Sequence, residues 1–269
     1  MTILKELIPP FVYERVASLY RNLNKNNFIY WEGDYKSWDE ASALCKGYDA
    51  SEVFEKVKSA SLAVKNGNAV FERDGVLFYH EEYSWELLAC LFKIATEFKG
   101  RLSVLDFGGS LGSTYFQQKK IVTGLFPLTW CIVEQKQFVE FGKAGLEDDV
   151  LKFEYTVEDA LEKNDSNVLL LGSVLQYLQD PYTWLKKFRD KKIPYMLIDR
   201  TPFIQGSVDR LTVQHVPEKI YKATYPGWFF SEQKFMETIL KDYSLIASYT
   251  LQDKSNIRAE FKGLFLKLN

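Results

Sequence analysis

The spacing of apolar positions changes character about a third of the way along the chain. Up to residue 99 they recur mainly at helical intervals, with Pro9-Pro10 breaking the first segment or opening a helix at Phe11. Ser37-Trp38-Asp39-Glu40 has the spacing of a capping box ahead of Ala41 and Cys45, which predicts a second helix. Asp49 or Ser51 is placed to cap a third helix running through Val53, Phe54, Val57 and Leu62, and 84–98 reads as a fourth. Between the third and fourth, Asn66-Gly67-Asn68 and Arg73-Asp74-Gly75 are turn residues, so 65–74 is expected to form a loop or a short hairpin.

From Leu102 onward the apolar runs 102–107, 128–133, 152–155, 167–171 and 195–199 are short. Helical patterns separate them at 115–120, 135–145, 157–163 and 180–189. That alternation is how parallel strands with crossover helices are written in sequence. After a long irregular stretch, 231–240 reads as a helix, and 244–251 and 261–268 read as two paired strands. The expectation is an α/β fold in two parts, a helical extension over 1–99 and a doubly wound domain over 100–269.

With 269 residues and 46% hydrophobic content, the chain can bury a substantial core. A net charge of −2 supplies no basic field for a polyanion, so a small-molecule partner is expected rather than nucleic acid. Sixteen Tyr, twenty Phe and six Trp suit packing, and also clefts that bind rings or sugars. Cys45, Cys90 and Cys131 are widely spaced without a CxxC pair, and only His80 and His215 could join them. Neither a disulfide framework nor a metal site is expected. No run reaches the roughly 18 apolar residues of a membrane-spanning helix, and the N-terminus lacks an apolar core before a cleavage site, so a cytoplasmic location is expected. Residues 1–22 are partly amphipathic and read as a docking helix, with peripheral membrane contact the most they suggest.

The chemistry concentrates at 103–112, where Ser103-Val104-Leu105-Asp106-Phe107 is followed by Gly108-Gly109-Ser110-Leu111-Gly112. A strand, an acid and a glycine turn opening a helix let backbone approach a ligand closely at the carboxyl edge of a parallel sheet. A dinucleotide site asks for G-x-G-x-x-G around a pyrophosphate, whereas the small residues here fall at 108, 110 and 112. Asp106 is suited to the cationic amino group of a methionine moiety and would repel a pyrophosphate. Glu134 closes the second strand 22 residues beyond Gly112, the position from which a carboxylate accepts ribose hydroxyls, with Gln135 beside it. Thr156 and Val157, with Glu158 and Asp159, either cap the next helix or face an adenine. After the fourth strand, Ser173, Gln176 and Tyr177 interrupt an apolar run. Tyr177 is a candidate to line the site, where a ring face attracts a sulfonium.

Together these segments resemble the class I S-adenosylmethionine-dependent methyltransferases. More narrowly, they resemble a family of bacterial methyltransferase-like proteins often encoded among surface-polysaccharide genes. The narrower resemblance spans most of the chain and rests on Gly33-Asp34-Tyr35-x-Ser37-Trp38, Gly47-Tyr48-Asp49, Glu72-Arg73-Asp74, residues 105–112, Val133-Glu134-Gln135 and Leu175-Gln176-Tyr177-Leu178. Ile198-Asp199-Arg200-Thr201-Pro202 and Tyr225-Pro226-x-Trp228-Phe229-Phe230-Ser231 complete it. It implies a seven-stranded sheet whose last strand inserts antiparallel, and a cofactor, S-adenosylmethionine, held around 106–112, 134 and 156–158. Ser110 stands where many such enzymes carry the middle glycine.

For transfer to a small-molecule or glycan hydroxyl, His215 or Asp199 would remove the proton. Asp199 and Arg200 read equally as an ion pair, and Arg200 also suits a phosphate or carboxylate on the acceptor. The stretch 205–228, with Asp209, Arg210, Gln214 and Tyr225, reads as the acceptor wall. Trp31, Tyr35, Trp38 and Tyr48, with Arg73 and Asp74, read as a lid or as core packing. Two other functions fit parts of the sequence: a non-catalytic adenosyl-binding scaffold and a nicotinamide-dependent oxidoreductase.

Overall fold

The computed structural model describes residues 28–45 and 50–269. The expected amphipathic segment at 1–22, Tyr48 and the Asp49 cap lie outside the described residues. The sequential elements are β1 (Tyr30–Tyr35), α1 (Trp38–Ala43), α2 (Ala50–Lys65), β2 (Phe71–Arg73), β3 (Val76–Phe78), α3 (Trp85–Glu97), β4 (Leu102–Phe107), α4 (Ser113–Val122), β5 (Leu128–Val133), α5 (Lys136–Gly145), β6 (Leu151–Glu154) and α6 (Val157–Lys163). They continue with β7 (Val168–Gly172), a single 3₁₀ turn (Leu175–Tyr177), α7 (Pro181–Asp190), β8 (Tyr195–Ile204), β9 (Arg210–Val216), β10 (Ala223–Ser231), α8 (Glu232–Ile239), β11 (Tyr243–Thr250) and β12 (Glu260–Leu268).

The central strands run β6-β5-β4-β7-β8 and are parallel. β12 pairs antiparallel with β8, and β11 pairs with β12, so the last strand inserts between its predecessor and the parallel set. This is a doubly wound α/β fold containing the expected seven strands. Two cores sandwich the sheet. One packs α2, α3, α4 and α5 around Leu91, Tyr115 and Trp130. The other packs α6, α7 and α8 around Leu185, Phe188 and Phe235.

Three further strands correct the expected count, for the main sheet has ten. The expected irregular stretch holds β9 and the start of β10, and the N-terminal region contributes β1 as well as helices. β7 leaves the side of β8 after Gly172 opposite Asp199, and β10 joins β8 at Phe203 and Ile204. An antiparallel arm, β10-β9-β1, therefore continues the sheet past the carboxyl end of β7. β10 tolerates Pro226 because only β9 flanks it there, leaving one edge without a ladder bond to lose.

The hairpin expected near 65–74 forms slightly later, as β2-β3 turning at Asp74-Gly75 with both residues at positive φ, the conformation this dipeptide favours. At α1, Ser37 accepts from the Glu40 backbone N–H at 3.2 Å while Glu40 accepts from Lys36 N–H at 2.9 Å. Among the described residues no helix is long and apolar enough to cross a membrane.

Candidate functional site

The turn after β4 is held by its own backbone. Gly108, Ser110 and Gly112 have φ of 73°, 55° and 96°, so alternate residues lie in the left-handed region that glycine enters freely and serine enters at a cost. A Cβ on Gly108 would stand 2.4 Å from the Val174 side chain, and one on Gly109 2.6 Å from the Asp106 carboxyl. Both glycines are thus required by packing. The Gly108 N–H donates to Val133 O at 2.9 Å and the Gly112 N–H to Gly109 O at 3.0 Å.

Asp106 lies directly beneath the turn, 1% exposed, with Oδ2 accepting from the Trp130 indole Nε1 at 3.0 Å. Burial raises its carboxyl to about 7 against the pull of that hydrogen bond, and Glu134 adds repulsion. Asp106 thus supports the turn from inside, with the Trp130 indole as its hydrogen-bond partner.

Glu134 follows the last residue of β5 and is half-buried. Its carboxylate accepts from the backbone N–H of Gln135 at 2.5 Å, and the Ser110 amide of the β4 turn lies near enough to favour its charged form. Burial pushes its pKa up while the two amides pull it down. A carboxylate has about four acceptor positions, so it keeps room for further donors. Gln135 is exposed and caps α5.

Thr156 caps α6, its Oγ1 accepting from Asp159 N–H at 3.0 Å, and Val157 is buried. The cap thus occupies an acceptor position of the Thr156 hydroxyl. Both residues also line a cavity of about 460 Å³ with Phe107, Val133, Trp184 and Phe188. Glu158 is paired with Lys191. A larger cavity of about 640 Å³ lies away from this edge, between the ends of α2, α4 and α5. It touches none of the candidate residues.

On the other side of β4, Ser173 has φ 56°, donates its N–H to Asp199 O at 2.9 Å and accepts from Gln176 Nε2 at 2.8 Å. The Tyr177 hydroxyl donates to Gln214 Oε1 at 2.9 Å, which also accepts from Trp31 Nε1 at 3.1 Å. The Tyr177 ring packs edge-on against Tyr225 at 5.2 Å. Burial raises the Tyr177 hydroxyl, so it stays protonated.

Asp199 and Arg200 sit in a bulge of β8. Thr201 opposes Lys262 and Ile198 opposes Leu264, so two residues face Gly263 alone, and Arg200 takes φ 53°. Such bulges re-aim side chains. Asp199 is 5% exposed and accepts from the Tyr249 hydroxyl at 2.7 Å. Burial raises its carboxyl, with the Tyr249 bond and then Arg200 opposing. Arg200 pairs with Asp253 at 2.6 Å, so its ion-pair partner is Asp253 and not Asp199. Sequence reasoning passed over Tyr249 and Asp253, which carry no motif and reach the site only through the β11-β12 connection.

His215 is not part of this group. Cross-strand partners share a face, so Gln214 faces Tyr177 with Trp31 and Tyr225, whereas His215 points the other way. There it stacks on Tyr30 at 4.4 Å and lies 2.9 Å from Glu32. Strand alternation thus sets His215 on the opposite face from Gln214, whose side chain meets Tyr177. Trp38 packs on Trp228 at 6.4 Å, a core contact. Asp209 accepts from Tyr182 and Ser231 and pairs with Lys234 at 2.6 Å, so it holds the β8–β10 corner.

No family model and no curated relative matches the chain. Among solved structures, it is similar to the N-terminal domain of EvdMO1 with SAH bound, at 14% identity and a TM-score of 0.45 over 83% of this chain and 100% of that one. It is similar to a S-adenosylmethionine-dependent methyltransferase from Clostridium acetobutylicum ATCC 824, at 10% identity and a TM-score of 0.46 over 79% and 98%. It is also similar to the [4+2]-cyclase SpnF, at 9% identity and a TM-score of 0.49 over 81% and 94%. All three TM-scores lie below 0.5, and the fold stands on the strand order.

Proposed function

We propose that the chain is an S-adenosylmethionine-dependent methyltransferase acting on a small-molecule or glycan acceptor, a role compatible with surface-polysaccharide assembly. The observation that carries this is the Glu134 carboxylate, held by the Gln135 amide at the carboxyl edge of the sheet, next to the glycine turn and with acceptor positions to spare. Those positions suit the two ribose hydroxyls of an adenosyl group. Thr156 and Val157, on the wall of the neighbouring cavity, suit the adenine.

The spent amides favour this reading over a nicotinamide site. The N–H groups of Gly108 and Gly112 are already donated within the protein, and a pyrophosphate would need such groups free. When bound, the cofactor supplies an electrophilic methyl on a sulfonium. The protein's part is to orient an acceptor in line and to take up its proton.

Calorimetric titration of the purified chain with S-adenosylhomocysteine and with NADH tests this. Binding of the homocysteine compound alone, weakened about tenfold or more by Glu134→Ala, is expected. Binding of NADH alone, or homocysteine binding indifferent to Glu134→Ala, would contradict it.

A further inference from the structure

The antiparallel arm carries an amide donor that the fold leaves unspent. Trp31, Gln214 and Tyr225 are cross-strand partners on β1, β9 and β10, so their side chains rise side by side from one face of the arm. Tyr177 leans over them from the turn after β7, its ring edge-on to Tyr225 at 5.2 Å. A Cβ on Gly227 would lie 3.7 Å from the Tyr177 ring and 3.9 Å from Trp31 Nε1, so those two side chains converge above this glycine. They meet at Gln214 Oε1, which accepts from the Trp31 indole at 3.1 Å and from the Tyr177 hydroxyl at 2.9 Å. An indole nitrogen can only donate, so the amide turns its oxygen to that side and its nitrogen away from it. The Nε2 hydrogens go to no described residue.

Gln214 is 3% exposed. Polar atoms sealed from water without a partner do occur among the described residues, Gln176 Oε1 being one, but Gln214 Nε2 is not among them, so the amide keeps a donor that solvent reaches. The walls around it are fixed from outside. Trp31 N–H donates to Asn256 Oδ1 at 2.8 Å and Trp31 O accepts from Asn256 Nδ2 at 2.7 Å, so the β11-β12 connection grips β1 at this residue. Gln176 Nε2 donates to Ser173 Oγ at 2.8 Å and to Arg200 O at 3.3 Å, which pins the turn carrying Tyr177. A donor whose amide oxygen is held by two hydrogen bonds, with three half-buried rings around it, is preorganised for an oxygen brought by a ligand.

We infer that Gln214 recognises the acceptor, its Nε2 donating to a hydroxyl oxygen of an uncharged sugar whose ring lies against Trp31, Tyr177 and Tyr225. Calling that sugar the acceptor rests on the methyltransferase reading, and the sugar site itself does not. The ligand is uncharged because the unspent donor is a neutral amide and the charged groups of the adjoining β8 bulge are engaged, Arg200 with Asp253 and Asp199 with Tyr249. Aromatic rings flanking a hydrogen-bond donor form a surface that takes the apolar face of a sugar ring and one of its hydroxyls.

Saturation-transfer NMR on the full chain loaded with S-adenosylhomocysteine tests the inference, with D-glucose, D-galactose and L-rhamnose as probes and D-glucose 6-phosphate beside them. Gln214→Glu keeps oxygens for Trp31 and Tyr177 and removes the donor, and Gln214→Met removes it without adding a charge. Neutral sugars are expected to give a signal that both substitutions abolish, while homocysteine binding measured separately stays unchanged. In isotope-labelled wild type, the same sugars are expected to shift the Gln214 side-chain amide resonance, a reading that needs no folded variant. A sugar signal that survives either substitution, an amide resonance that does not move, signal from the phosphorylated sugar alone, or none from neutral sugars while the homocysteine compound binds would overturn it. Absence of homocysteine binding in the wild type, with a Gln214-dependent sugar signal intact, would overturn the cofactor reading and keep the sugar site.

Discussion

The Trp130 indole, on β5, donates to the Asp106 carboxylate, on β4, at 3.0 Å in a fully buried setting beneath the glycine turn. This neighbouring-strand bond stabilises an acid that burial would otherwise leave wholly neutral. Trp130→Phe removes the donor and leaves a void. It is expected to cost about 3 kcal/mol in chemical denaturation and to raise the Asp106 pKa above its value of about 7. Loss of less than about 1 kcal/mol would mean that the bond holds nothing in place.

Asp106 and Glu72 set a pH dependence. Burial raises both carboxyls to about 7 in the folded chain. For an acid so raised, stability is fully present below the unfolded pKa and is lost as pH rises through the folded one. Both therefore make unfolding easier between about pH 4 and 7. Asp106→Asn and Glu72→Gln are each expected to flatten the fall in melting temperature across that window. A parallel, unflattened profile would refute the assignment.

Gly263 and Tyr249 are cross-strand partners on β12 and β11, and a Cβ on Gly263 would stand 2.0 Å from the tyrosine ring. The missing side chain lets the ring lie across β12 so that its hydroxyl reaches Asp199. Gly263→Ala is expected to cost about 1–3 kcal/mol. Most of that cost should vanish when Tyr249 is already alanine, a non-additivity read from a double-mutant cycle. Additive costs would show that the ring does not occupy that space.

Ser110 holds φ 55°, where glycine is unstrained but also loses more entropy on folding. These effects offset, so Ser110→Gly is expected to change stability by less than about 1 kcal/mol and homocysteine affinity by less than about threefold. A large gain in affinity would mark the serine as an impairment.

The parallel core was readable because its strands are buried on both faces and stand out as short, mainly apolar runs. Leu102–Phe107 and Leu128–Val133 fall where the pattern puts them. The arm was not. β1 contains Gly33 at φ 86° and Asp34, and β10 contains Pro226 and Gly227, residues that read as breakers although an edge position tolerates them. At the site, the spacing to the glycine turn singles out Glu134, and the structure puts it at the end of β5 beside that turn. The face that His215 takes and the pairing of Asp253 with Arg200 were not legible, for one cause. Which face a side chain takes depends on pairing between strands distant in sequence, and no local pattern encodes it.

The most direct test is a crystal structure of the chain with S-adenosylhomocysteine. The account predicts the ribose hydroxyls within about 3 Å of the Glu134 carboxylate, the adenine against Thr156 and Val157, and the sulfur directed toward Tyr177. Density for the ligand in the cavity between α2, α4 and α5, or anywhere that leaves Glu134 without contact, would contradict it.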